Sequence, residues 1–208
     1  MAFFDFHHHH STYANGLYNH MPGNPLPEIP FSVGLHPQYI SSDWATQWEA
    51  VLALSTHPLC KAIGECGLDG ISTVPETIQK EVFFAHIQLA NEIQKPIVIH
   101  CVKRFYELLP FQKKAKTAMV IHGFNKKESI AKDMLDHGFY LSFGSSILQN
   151  LSLQSVLQKT PLDKLFLETD DAKVDIEEIY NKAAMLKGIT VEQFINSIEE
   201  NKAAIGIL

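Results

Sequence analysis

Two stretches decide the fold: Pro96-Ile-Val-Ile-His100 and Ala118-Met-Val-Ile-His122. Each is almost continuously apolar and rich in Val or Ile, the pattern of a strand buried on both faces. Each ends in a histidine. Similar short apolar runs lie at Ala2–Phe6, Phe31–Gly34, Lys61–Gly64, Phe139–Phe143 and Lys164–Leu167. Between them the period changes. Glu76–Gln94 places Ile78, Val82, Ala85, Leu89 and Ile93 three or four residues apart, one face of a helix. Asp43–Thr56, Arg104–Ala115, Lys127–Asp136 and Leu151–Lys159 are shorter helical candidates, and Thr190-Val-Glu-Gln193 after Gly188 reads as a capping box opening a last helix. Strand and helix in alternation imply a parallel sheet with helical crossovers.

The seven runs predict seven strands. Ser11–Pro30, with two glycines and four prolines and no sustained period, reads as a loop where a full eight-stranded barrel would place a strand and a helix. The expected architecture is therefore α/β, a TIM-like β/α barrel lacking one strand-helix unit after its first strand, in one domain over residues 1–208; an open doubly wound sheet is the other solution.

Bulk properties narrow the function. The 208 residues carry 46% hydrophobic and 19% charged side chains, with a formal charge of −6. That charge opposes tight coating of duplex nucleic acid, so any such contact must be local or made through metal ions. No apolar run reaches the ~18 residues of a membrane span, so no membrane partner is expected. The three cysteines form no CxxC pair and no signal-peptide pattern opens the chain, which predicts reduced thiols and a cytoplasmic setting. Neither size nor composition fixes an oligomeric state.

The polar residues fall in one place. Nearly every predicted strand ends in a residue able to bind metal: His7 and His9, His36, Glu65 with Asp69, His100, His122, and Glu168 with Asp170 and Asp171. In parallel β/α proteins the C-terminal strand ends share one mouth. His7 and His9 are two apart on a strand, so both point the same way. Their run, His7–His10, could be a tag scar. As a tag, however, it would leave the first strand without a partner for the other histidine-bearing ends. His20, His57, His86 and His137 read as ordinary surface or helix residues. Asp5 is expected to orient a histidine of the cluster.

These residues in this order resemble the TatD-like metal-dependent deoxyribonucleases of the amidohydrolase group. The matching segments are "FFDFHHH" for an Asp-x-His-x-His motif, "VGLHP", "AIGECGLD", "PIVIHC", "MVIHGF" and "LFLETD", with the helix Gln79–Ala90 beside them. The resemblance implies a β/α barrel with divalent ions, Mg, Mn or Zn. On this chain His7, His9, Glu65 and Asp170 would hold one ion. Glu65, His100 and His122 would hold a second, with Glu65 bridging. His36 would lie near the substrate phosphate, with Asp69 and Arg104 as further substrate contacts, and Asp170 and Glu65 would be the catalytic carboxylates. The departures lie outside the metal ligands. Arg104 is displaced by two positions, "GLD" is followed by Gly70, and Asp171-Ala172 replaces Ser-Pro after "ETD".

The implied activity is phosphodiester hydrolysis of DNA, with Lys103, Arg104, Lys113, Lys114, Lys116, Lys126 and Lys127 available to lead a single strand. Hydrolysis of a small phosphate ester, amide or ester is the second reading. A non-catalytic metal-binding relic is the third.

Overall fold

The computed structural model describes residues 2–207. Eight parallel strands follow one another around a barrel: β1 Asp5–His8, β2 Gly16–His20, β3 Phe31–Val33, β4 Cys60–Asp69, β5 Ile97–Val102, β6 Met119–Ile121, β7 Tyr140–Phe143 and β8 Leu165–Leu167. The helices are α1 Trp44–Ser55, α2 Glu76–Ile93, α3 Leu109–Gln112, α4 Glu128–Asp136, α5 Leu151–Lys159, α6 Ile176–Lys187 and α7 Val191–Ala204. The ring closes at its mouth through a parallel bridge between His8 and Asp170. There Asp170 N–H donates to His7 C=O (2.9 Å) and His9 N–H donates to Asp170 C=O (3.1 Å).

The TIM-like class holds, with eight strands rather than seven. The missed strand, β2, lies inside the stretch read as a loop, while both connections around it lack a helix. Short strands make this possible. The four residues of β1 rise only about 13 Å, and residues 9–15, at up to about 3.3 Å each, return the chain to the foot of the sheet. Gly16 is required there by close approach: a Cβ would lie 2.3 Å from the Asp5 carbonyl oxygen and 2.8 Å from the His8 ring. On the outer face of β1 and β2, aromatic packing stands where helices would lie. The buried His8 ring packs against Tyr13 at 5.4 Å and Tyr18 at 6.2 Å, and His20 against Phe31 at 5.3 Å. Burial pushes the His8 imidazole down to about 3, so it is neutral.

The helix expectations change in two places. Arg104–Ala115 is a turn of 3-10 helix followed by the four-residue α3, because Pro110 has no N–H to give and fits only a helix start. Ile176–Lys187 is a helix that the sequence reading passed over, although Asp175 caps its first turn and Gly188 ends it in the left-handed region. The expected capping box at Thr190–Gln193 is present.

On α2 the buried residues are Gln79, Val82, Phe83, His86, Ile87, Leu89 and Ala90, so the face read from the sequence is buried at Val82 and Leu89, with Ile78 and Ile93 packed at its margin, and the stripe is widened by residues the apolar pattern does not mark. Two of these are polar. Gln79 accepts from Asp69 N–H (2.7 Å), and His86 Nε2 accepts from Leu35 N–H (2.9 Å) while its Nδ1–H donates to Val82 C=O (2.7 Å). His86 is thus no surface residue; it ties α2 to the end of β3, next to His36.

Burial lowers the His86 imidazole to about 4, against about 6.5 in an unfolded chain. Between those values the unfolded state holds more protons, so stability falls as pH drops from about 6.5 toward 4. The loss from this group alone is about 3 kcal/mol. In chelator-treated protein, His86→Gln is expected to be less stable at neutral pH and to show a shallower acid decline in denaturant titrations. An equally steep decline in the variant would remove His86 as its cause.

Candidate metal centre

The strand ends deliver their polar side chains to one cluster. Glu65, at the middle of β4, is its hub. Its Oε1 lies 2.7 Å from His122 Nε2, 2.9 Å from His100 Nδ1 and 3.3 Å from His36 Nε2. Its Oε2 accepts from Asn19 Nδ2 (2.8 Å) and faces His7 Nε2 at 3.6 Å. Asp170 Oδ1 lies 3.3 Å from His9 Nε2 and 3.7 Å from His7 Nε2. Asp69 accepts from Gln38 Nε2 (2.6 Å) and stands 3.2 Å from His100 Nε2.

Charge follows from this crowding. Burial raises the cost of an ionised Glu65, but the charge of His122 and bonds from His100, His122 and His36 outweigh it, so the carboxyl lies well below the usual range. Burial likewise opposes protonation of His122, and the Glu65 and Glu168 carboxylates overcome it, raising that imidazole well above its ordinary value. The hydrogen bond to Asp170 raises His9; the same contact, against burial, keeps Asp170 ionised.

The donor set fits divalent cations. Three groups place ligand atoms within 4.8 Å of one another: His7, Glu65 and His122; His7, His9 and Asp170; His36, Glu65 and His100. Both ring nitrogens of His7 and Nδ1 of His122 are buried with no hydrogen-bond partner. Orphaned imidazole nitrogens beside carboxylates are costly unless something accepts their lone pairs, and a cation does. Within the histidine run, His7 and His9 face the cluster, His8 packs outside the barrel and His10 is exposed.

The grouping differs in detail from the sequence expectation. His36 joins Glu65 and His100, and His122 joins His7. Arg104 is not brought to the cluster; its guanidinium pairs with Glu107 at 2.7 Å and Glu76 at 3.0 Å. Among the described residues, Asp5 makes no side-chain bond to a histidine ring of the cluster. Its carboxylate accepts from Thr169 N–H (3.0 Å) and Thr169 Oγ1 (2.6 Å), fastening β1 to the segment that carries Asp170, and burial pushes it up to about 7. Asn19 is the site residue that sequence reasoning missed, since its strand was read as a loop. Asp170 takes φ +56°, a left-handed conformation that Asp tolerates better than most residues.

A cavity of about 590 Å³ opens from the cluster toward β2, β3 and α1. A parallel β/α barrel with a histidine–carboxylate cluster at the C-terminal ends of its strands defines a metal-dependent hydrolase. Residues 23–205 match the model of the TatD related DNase family, and the chain belongs to that family. It is 29% identical over 197 residues to the uncharacterized metal-dependent hydrolase YcfH of Escherichia coli K12, covering 85% of this chain and 73% of that protein. It is 35% identical over 150 residues to the 3′-5′ ssDNA/RNA exonuclease TatD of Citrobacter koseri, covering 67% of this chain and 56% of that enzyme. In structure it resembles YJJV, a TatD homologue of Escherichia coli K12, with a TM-score of 0.84 at 18% identity over 99% of this chain and 98% of that one. Among the described residues, no helix is long and apolar enough to cross a membrane.

Proposed function

We propose that this chain is a single-domain hydrolase of nucleic-acid phosphodiester bonds, acting at strand ends in the cytoplasm with one or two divalent ions, Mg, Mn or Zn. The observation that carries the reading is the convergence of His36, His100 and His122 on one carboxylate oxygen of Glu65. His7, His9 and Asp170 would hold one ion, and His36, Glu65, His100 and His122 the other, within reach of the shared Glu65. When bound, such ions supply charge stabilisation for the scissile phosphate and a nucleophile at neutral pH.

The chain's own residues supply the rest. Asp170, kept ionised beside His9, accepts the proton of the attacking water. Asn19 fixes Glu65 from the barrel interior, and Gln38 with His100 fixes Asp69 at the rim, where it orients the substrate. Arg104, turned onto Glu76 and Glu107, supports its loop in this reading and would meet substrate only by leaving both partners. The exonuclease activity named for the TatD relatives supports the substrate class. A second reading, a small phosphoester, is favoured by one feature: among the described residues lining the cavity, none is Lys or Arg.

Elemental analysis of untagged protein, wild type and His9→Ala, is the test. About one to two equivalents of transition metal are expected in the wild type and fewer in the variant, with metal-dependent shortening of single-stranded DNA. If no metal is found and a manganese titration also shows no binding, the reading fails.

A further inference from the structure

The mouth of the barrel is electrostatically lopsided. On the β2–β3 side the cavity is walled by Met21, Leu35 and Tyr39, with Thr46, Gln47 and Ala50 of α1 completing it, and no Lys or Arg is among its described lining residues. Across the cluster, three and four strands around the barrel, the loops after β5 and β6 present Lys103, Lys126 and Lys127. All three are exposed, and among the described residues none is in an ion pair.

Tyr39 is the conspicuous wall residue. Its side chain is 59% exposed, yet its backbone is fixed at both ends. Its N–H donates to His36 C=O (2.9 Å), and its C=O accepts from Gln47 Nε2 (3.0 Å), while Gln47 Oε1 accepts from Ser41 N–H (2.9 Å). The ring stands 5.1 Å from that of His36, which itself lies against Glu65. Met21, which lines the same cavity, is 41% exposed. A rigidly held, open aromatic face with a soft thioether in the same cavity and no charge suits the flat face of a nucleobase, and it does not suit a phosphate.

We propose that this groove is the subsite for the terminal nucleoside of a single strand, its base stacked on Tyr39, while the remaining phosphodiester chain leaves over Lys103, Lys126 and Lys127. The inference rests on the nuclease reading above. It sets the direction in which the strand crosses the cluster, and it makes the lysine-free cavity compatible with an anionic polymer, since only the uncharged end enters it.

The test compares short single strands that carry a normal or an abasic nucleotide at the 3′ or the 5′ end, cleaved by the manganese-loaded protein. Wild type is expected to favour the base-bearing terminus by about tenfold in kcat/KM at one of the two ends. Tyr39→Ala is expected to bring that ratio to about one, and Tyr39→Phe to retain it. The triple variant Lys103→Ala, Lys126→Ala, Lys127→Ala is expected to keep the ratio while raising KM and weakening the salt dependence. No base preference in wild type, or a preference that survives in Tyr39→Ala, overturns the subsite. Loss of the ratio in the lysine variant overturns the strand direction. If wild type cleaves no strand yet hydrolyses bis(p-nitrophenyl) phosphate, the nuclease reading itself has failed, and the subsite falls with it.

Discussion

Asp170→Asn is expected to lower kcat by about 10³-fold, within the range lost when a general base is removed, and to leave the barrel folded. Asparagine is the informative substitution. It tolerates φ +56° better than alanine does. It also retains the backbone bonds from Asp170 N–H to His7 C=O and from His9 N–H to Asp170 C=O, which close the barrel. What it removes is the negative charge beside His9 and the ability to accept a proton. Circular dichroism and thermal melting should match wild type in chelator-treated samples, while hydrolysis of bis(p-nitrophenyl) phosphate should collapse at saturating manganese. Wild-type turnover in this variant would take the proton-accepting role away from Asp170. A partial loss repaired by more metal would recast the residue as a ligand alone.

Glu65→Gln should have the second large effect, on metal binding. Changes to groups that merely support a metal ligand cost about 10–100-fold in affinity. Glu65 touches four histidines and belongs to two of the three ligand groups, so a loss of at least about 100-fold is expected. Gln occupies the same volume and its amide oxygen can still accept from Asn19. The rise in melting temperature produced by added metal should therefore shrink strongly, because that rise scales with the logarithm of ligand concentration over Kd. The metal-free protein offers an independent readout. His122 is held protonated chiefly by Glu65, with Glu168 assisting. In Glu65→Gln its imidazole should titrate at lower pH in an NMR pH series. Unchanged metal-induced stabilisation would show that the cluster does not depend on the shared carboxylate.

How much of this was legible beforehand depends on the range over which each feature is decided. Strands β5 and β6 were readable because a strand covered on both faces must be apolar along its length, and their histidines stood out as the first polar residues afterwards. Helix α5 spans the predicted Leu151–Lys159, and the structure adds Asn150 as its cap. Strand β2 was not readable. Gly16-Leu-Tyr-Asn-His20 carries a glycine demanded by the nearby Asp5 carbonyl and an asparagine demanded by Glu65, and both partners are distant in sequence or hidden until the chain has turned. The α2 stripe is wider than its apolar pattern for a similar reason. Gln79 and His86 are buried because they satisfy backbone N–H groups of Asp69 and Leu35, and hydrophobicity carries no record of that.

The sequence by itself determined the alternation of strand and helix, and with it a parallel sheet and the placing of metal-binding side chains at the ends of its strands. Those properties follow from local periodicity and from the shared direction of parallel strands. Only the tertiary structure decided that eight strands close the ring and that His7 and His9 face in while His8 faces out to stand in for a missing helix. Only it turned Arg104 away onto Glu76 and Glu107, and made Glu65 the residue on which histidines from four strands or strand ends converge. Each of those outcomes depends on pairing across gaps of tens of residues, where the energy of a contact belongs to two positions at once and neither one alone encodes it.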